Sequence, residues 1–182
     1  MNPVFLLDDF SRSDGLSALG TRWQGFTDRV MGGLSDMEVR RDESEIGPVL
    51  RMQGAVRLEN RGGFIQARLP LAADEGYLDA SAWAGIRLQV RGRPGPWYLH
   101  LRSRHCRLPW QHYRARFEVQ RDWQTPFVAF DEFTGKATWR GLDTTALKSV
   151  GVVAYGEACD AEIEVARIEL VTAASAANGS SR

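Results

Sequence analysis

Thr27-Asp28-Arg29-Val30-Met31-Gly32-Gly33-Leu34-Ser35 is the stretch on which the reading of this chain turns. It follows Trp23 and leads into a strand-like run. Gly32-Gly33 lets the backbone take positive φ, so the chain reverses tightly there. Asp28 and Ser35 flank the reversal with short polar side chains, which bond nearby backbone N–H groups and hold an irregular loop in one shape. Leu58-Glu59-Asn60-Arg61-Gly62-Gly63-Phe64 is a second segment of the same kind. Paired glycines are common hairpin punctuation, so the plainest reading of each is a turn between two strands, with a ligand loop as the alternative. Gly33→Val is expected to damage the fold by forbidding positive φ.

Outward from these loops the chain alternates in short runs. Residues 4–7 read as a terminal strand, and 37–41 with 49–52 as a pair joined by the charged loop 42–48. Residues 55–58 read as a further strand. In 64–69, Ile65, Ala67 and Leu69 share one face while Gln66 and Arg68 take the other. Segments 86–91, 97–104 and 113–119 alternate likewise, sending Arg87, Gln89, His100, Arg102, Arg114 and Arg116 away from the apolar side. Residues 123–130 are interrupted by Pro126, as at an edge or a bulge. Asp143 is placed to cap a helical turn over 144–148. Residues 150–155 and 161–171 close the domain. Ten or eleven short strands, without a helix over roughly ten residues, predict an all-β, antiparallel β-sandwich or barrel over residues 1–171. The Ala/Ser/Asn/Gly composition of 172–182 predicts a flexible tail.

The formal net charge is zero, so the chain as a whole has no pull on nucleic acid. No 18 apolar residues run together, so no membrane-spanning helix is expected. Of the 23 basic residues only Lys136 and Lys148 are lysines, and arginine is the better residue for bidentate contacts to carboxylate or phosphate. Cys106 and Cys159 form neither a disulfide framework nor a metal-ligand spacing. Asp8, Asp9, Asp28 and Asp131 offer oxygen ligands but lack a calcium-loop spacing, so no metal and no cofactor is expected. Cys106 beside His105 is the one nucleophile–base candidate, and neighbours on a strand point to opposite faces. Residues 1–9 do not read as a signal peptide, which predicts a cytoplasmic protein.

The order Asp8-Asp9-Phe10, Trp23, Asp28 to Ser35, Glu59 to Phe64, Gly85 to Gly92, Trp123, Leu142-Asp143 and Val150-Gly151 resembles the complex I intermediate-associated protein 30 family. The resemblance implies a galactose-binding-like jelly roll and a non-enzymatic role. It implies an assembly factor or chaperone of respiratory complex I. No transit peptide is expected ahead of the domain, which favours a bacterial cytoplasmic protein over a mitochondrial one. Relatives of the fold include sugar-binding modules, which brings in a glycan reading by analogy alone.

Two functions follow as expectations. The first is a protein-binding module, with respiratory-complex subunits as partners. The second is a carbohydrate- or small-anion-binding module on the concave sheet. Both use Asp28, Ser35 and Asn60 of the glycine loops, and Gln66, Arg68, Arg87, Gln89, His100 and Arg102 of the polar strand faces, framed by Tyr98 and Tyr113. The competing reading pairs the arginines with Asp and Glu across strands, for solubility alone. Trp97, Trp110 and Trp139 are the candidate sugar platforms, against a reading of them as core caps. Arg102→Ala is expected to weaken capture without unfolding the domain.

Overall fold

The computed structural model describes residues 3–178. Its first strands are β1 (Val4–Asp8), β2 (Gln24–Thr27), β3 (Asp36–Ser44), β4 (Gly47–Val56), β5 (Phe64–Pro70) and β6 (Gly85–Gly92). They are followed by β7 (Trp97–Ser103), β8 (His112–Arg116), β9 (Phe127–Ala129), β10 (Thr134–Lys136), β11 (Leu147–Tyr155) and β12 (Cys159–Val171). The strands form two antiparallel sheets. One runs β3-β4-β12-β6-β9, with β1 also paired to β12; the other runs β10-β8-β7-β11-β5-β2. Leu50, Met52, Leu88 and Ile163 from the first sheet meet Ile65, Leu69, Leu99 and Val152 from the second in one core. The antiparallel all-β sandwich is thus the fold.

Local departures have local causes. The charged loop expected at 42–48 is a continuous hairpin, in which Asp42 opposes Val49 and Ser44 opposes Gly47. Gly47 makes its turn at φ 118°. β4 then runs on to Val56 and absorbs much of the strand expected at 55–58. Asp143 does accept the Thr145 N–H at 3.0 Å, yet no helix follows; β11 begins at Leu147 and pairs with β7 and β5. β9, just after Pro126, is an edge strand. The segment after β12 starts as a short helix, α1 (Ala173–Ala177), capped by Thr172. Residues 179–182 of the expected tail lie outside the described residues. Among the described residues no helix is long and apolar enough to cross a membrane.

The two glycine loops meet on one carboxylate. Asp28 is fully buried and accepts four hydrogen bonds: from Ser35 Oγ at 2.5 Å, Ser35 N–H at 3.0 Å, Gly63 N–H at 2.5 Å and Phe64 N–H at 3.3 Å. Within each pair the glycines divide two tasks. Gly32 and Gly63 take the positive φ, 86° and 129°. Gly33 and Gly62 make room: a Cβ on Gly62 would lie 2.6 Å from Asp28 Oδ2, and one on Gly33 would lie closer still to Oδ1. The expectation for Gly33 is therefore corrected. Its φ is not positive; its methylene packs on the Asp28 carboxylate. Burial pushes the Asp28 carboxyl up, but the bonds from Ser35, Gly63 and Phe64 outweigh it and hold the group below the usual carboxylate range.

Asp28→Asn should lower stability by on the order of 3 kcal/mol, because buried N–H groups lose their charged acceptor. A lowered folded value means that the carboxylate's contribution is complete above about pH 4 and drains as pH falls through that value. Denaturant melts from pH 7 to pH 2 should show this part of the acid transition in the parent and not in Asp28→Asn. Gly33→Ala should also destabilise, by less in an Asp28→Ala background. A double-mutant cycle should give a coupling of about 1–3 kcal/mol.

Candidate functional site

Charge is divided unequally between the sheets. The strands of the second sheet carry Arg68, Arg102, Arg114, Arg116, Lys136 and Lys148, and no Asp or Glu at all. The first sheet carries its own arginines together with Glu162, Glu164, Glu169 and other acids. There the arginines are paired. Arg87 donates to Glu169 Oε1 through Nε at 2.9 Å and Nη2 at 2.6 Å. Arg51 and Arg91 both hold Glu164. Pairing thus describes the arginines of the first sheet; in the second, Arg116 faces Glu118 of the segment after β8 at 3.9 Å, while Arg68, Arg102 and Arg114 form no ion pair among the described residues.

On the outer face of the second sheet the register sets Thr134, Arg114, His100, Gly151, Arg68 and Gln24 side by side. Gly151 leaves a low point between His100 and Arg68, and the Gln66 side chain lies across it. A neighbouring row holds Arg116, Tyr98, Val153, Gln66 and Phe26. On the other side Lys136 opposes His112, and Arg102 opposes Ser149. Aromatic rings steady the cations: Arg114 lies 5.1 Å from the ring centroids of both Tyr98 and Tyr155, and Arg68 lies 4.8 Å from Phe26. His100 and His112 stack at 4.0 Å, 15° from parallel.

Three polar atoms of this face, Arg68 Nε, His100 Nε2 and His112 Nε2, are buried without a hydrogen-bond partner among the described residues. Each such atom costs about 1–3 kcal/mol. Such a cluster calls for a hydrogen-bonding occupant, whether water, an ion or a ligand. His100 is only 8 % exposed. Burial, then His112, Arg114 and Arg68, push its imidazole well below the usual range. Burial likewise lowers His112, with Arg114, Lys136 and Arg102 adding to it against the bond to Trp110. Burial and Arg102 also lower the Arg68 guanidinium.

The structure gathers some of the expected residues and separates others. Gln66, Arg68, Tyr98, His100 and Arg102 share this face with Arg114 and Arg116. Arg87 and Gln89 lie on β6, in the opposite sheet. Tyr113 is 1 % exposed and belongs to the core, with its hydroxyl donating to the Arg140 and Gly141 carbonyls. Asp28 and Ser35 are the buried tie between loops, and Asn60 is exposed in the turn Glu59–Arg61 at φ 57°. Arg102 reaches back to the carbonyls of Cys106, Leu108 and Gln111, so its removal would loosen that loop. Arg102→Ala is not the clean probe it was expected to be; Arg114 is. Sequence reasoning missed His112, Tyr155 and Lys136. His112 has the parity of Arg114, which was the available signal.

The other candidates fall elsewhere. Trp97 is buried and donates to the Arg93 carbonyl. Trp110 and Trp139 are 59 % and 92 % exposed, on loops tied by Gln111 Nε2 to the Ala137 carbonyl at 3.0 Å. Cys106 is buried, and His105 faces Asp143 at 3.8 Å. Asp8 accepts from Phe10 N–H and Trp23 Nε1, far in function from any ligand cluster; among the described residues no three His, Cys, Asp or Glu side chains group to hold a metal.

Comparison with curated proteins returns no match. Solved structures match across the domain. A family 11 carbohydrate-binding module from Clostridium thermocellum, in complex with a β-1,3-1,4-mixed-linked tetrasaccharide, superposes with a TM-score of 0.73 at 14 % identity, over 95 % of this chain and 98 % of that one. A family 30 module of the cellulosomal cellulase Cel9D-Cel44B of the same organism gives 0.61 at 13 % identity, over 83 % and 91 %. The agarase AgWH50C gives 0.63 at 10 % identity, over 95 % of this chain but 25 % of its own. At these identities the likeness establishes the jelly-roll, galactose-binding-like fold. The profile of the family described as complex I intermediate-associated protein 30 matches residues 9–161, and the chain belongs to that family.

Proposed function

We propose that the chain is a non-enzymatic binding module that captures an acidic segment of a partner protein on the outer face of its second sheet. The observation that carries this is a sheet whose strands hold six Arg and Lys residues and no carboxylate, in a chain of zero net charge. Arginine forks match carboxylates two bonds at a time, and the tyrosines beside Arg114 limit the freedom that it loses on binding. The family description points to subunits of respiratory complex I as the partners and to an assembly or chaperone role. A non-catalytic reading is supported by Cys106, whose thiol is buried, and by His105, whose Nε2 faces Asp143 at 3.8 Å. Cytoplasmic residence is supported by two free cysteines.

The second reading is a glycan module. It is favoured by Trp139 and Trp110 standing exposed at the rim, and by the oligosaccharide in one of the similar structures. Trp139→Ala should then abolish binding of a mixed-linked glucan tetrasaccharide.

For the acidic-segment reading, fluorescence polarisation with labelled hexa-aspartate should show binding that weakens steeply as salt rises. Arg114→Ala should lower the affinity about tenfold or more, while changing stability by no more than about 1 kcal/mol. Arg87→Ala should do the opposite, sparing capture and costing about 1–3 kcal/mol, because Glu169 loses its two-bond partner. Equal loss of capture in both variants would count against this face.

A further inference from the structure

We infer that the second sheet binds a carboxylate together with a proton, which the stacked His100–His112 pair takes up. This rests on the acidic-segment reading and adds what the ligand must be and how pH governs it.

The geometry fixes where protons sit. His112 Nδ1 lies 2.9 Å from the Trp110 carbonyl, which only accepts, so Nδ1 carries a hydrogen. In neutral His112 the buried Nε2 is then a bare lone pair, and it has no partner among the described residues. A lone pair repels an anion. It becomes a donor only when the ring gains its second proton. His100 Nε2, in the ring stacked 4.0 Å away, also lacks a partner among the described residues, and a second proton on that ring makes both of its nitrogens donors.

The surroundings keep that proton off in the free protein. Facing the pair are Arg68 from β5, Arg102 from β7, Arg114 from β8 and Lys136 from β10, with Tyr155 from β11 and Gln66 from β5 as uncharged neighbours. The strands of the sheet supply no carboxylate to offset them. Burial and these cations lower both imidazoles. A carboxylate held by Arg114 and Arg68 supplies the missing negative charge, and the cost of charging one imidazole falls. At 4.0 Å the two rings cannot both be charged cheaply, so one proton is shared by the pair. A group that gains protons on binding is favoured as pH falls, so affinity rises from pH 8 towards pH 6.

A neutral sugar behaves differently. Its hydroxyl donates to the lone pair of neutral His112, and no proton enters. The same measurement therefore separates the two ligand classes.

The experiment is isothermal titration of the full chain with hexa-aspartate, which stays ionised from pH 6 to pH 8, in two buffers of different ionisation enthalpy. The expected result is proton uptake approaching one per site and affinity rising by up to about tenfold per pH unit. His112→Gln should flatten that slope. The imidazole resonances of the parent supply a second readout that does not depend on the folding of the variant, and hexa-aspartate should shift their titration to higher pH. Binding without proton uptake overturns this inference and leaves the acidic-segment reading standing. No binding at any pH overturns both. Binding of the mixed-linked tetrasaccharide alone, without a proton, replaces both with the glycan reading.

Discussion

One buried carboxylate determines how this end of the sandwich closes. Asp28 gathers donors from residues 35, 63 and 64, and so ties the loop after β2 to the loop before β5. The tie requires close approach, and both Gly33 and Gly62 lie where any side chain would enter the carboxylate. It also requires sharp reversal, which Gly32 and Gly63 provide. The paired glycines are thus two answers to two demands, set by one acid. With the loops locked, β2 and β5 keep their register, and Phe26 and Arg68 meet at the edge of the outer face.

The second organising feature is the segregation of charge. In the first sheet, Glu164 and Glu169 are nearly buried and are held by arginines on adjacent strands. Those ion pairs are closed systems with little left to offer a partner. In the second sheet the guanidinium groups of Arg68, Arg102 and Arg114 rest on aromatic rings or reach carbonyl groups, and among the described residues no carboxylate pairs with them. The imidazole pair sits at the centre of that field. The acidic occupant proposed above is the electrostatic complement of this imbalance.

The strands were legible because period-two alternation survives on any sheet with one solvated face. Ile65, Ala67 and Leu69 pointed inward as read, and so did Ile86, Leu88 and Val90. What alternation does not encode is which sheet a strand joins. Arg87 and Arg68 look alike in sequence and end on opposite sides of the protein, because pairing of β6 with β12 and of β5 with β11 is decided by long-range packing. Tyr113 was misassigned although its parity with Ala115 and Phe117 placed it inward; its long polar-tipped ring reaches carbonyls across the core edge. The Gly-Gly pairs announced themselves, but the reason for Gly33 did not, since a close approach to a side chain leaves no local pattern.

An uneven distribution on a neutral chain has a consequence in solution. The strands of the second sheet carry cations and no acid, while on those of the first the acids outnumber the arginines, so the charge of the protein is polarised through the sandwich. A charged surface turns such a molecule before contact and presents the cationic sheet to an acidic body at encounter. Net charge and isoelectric point, near 6.8, say nothing of this. The protein should be retained by a cation-exchange matrix at a pH where its overall charge would let it pass through.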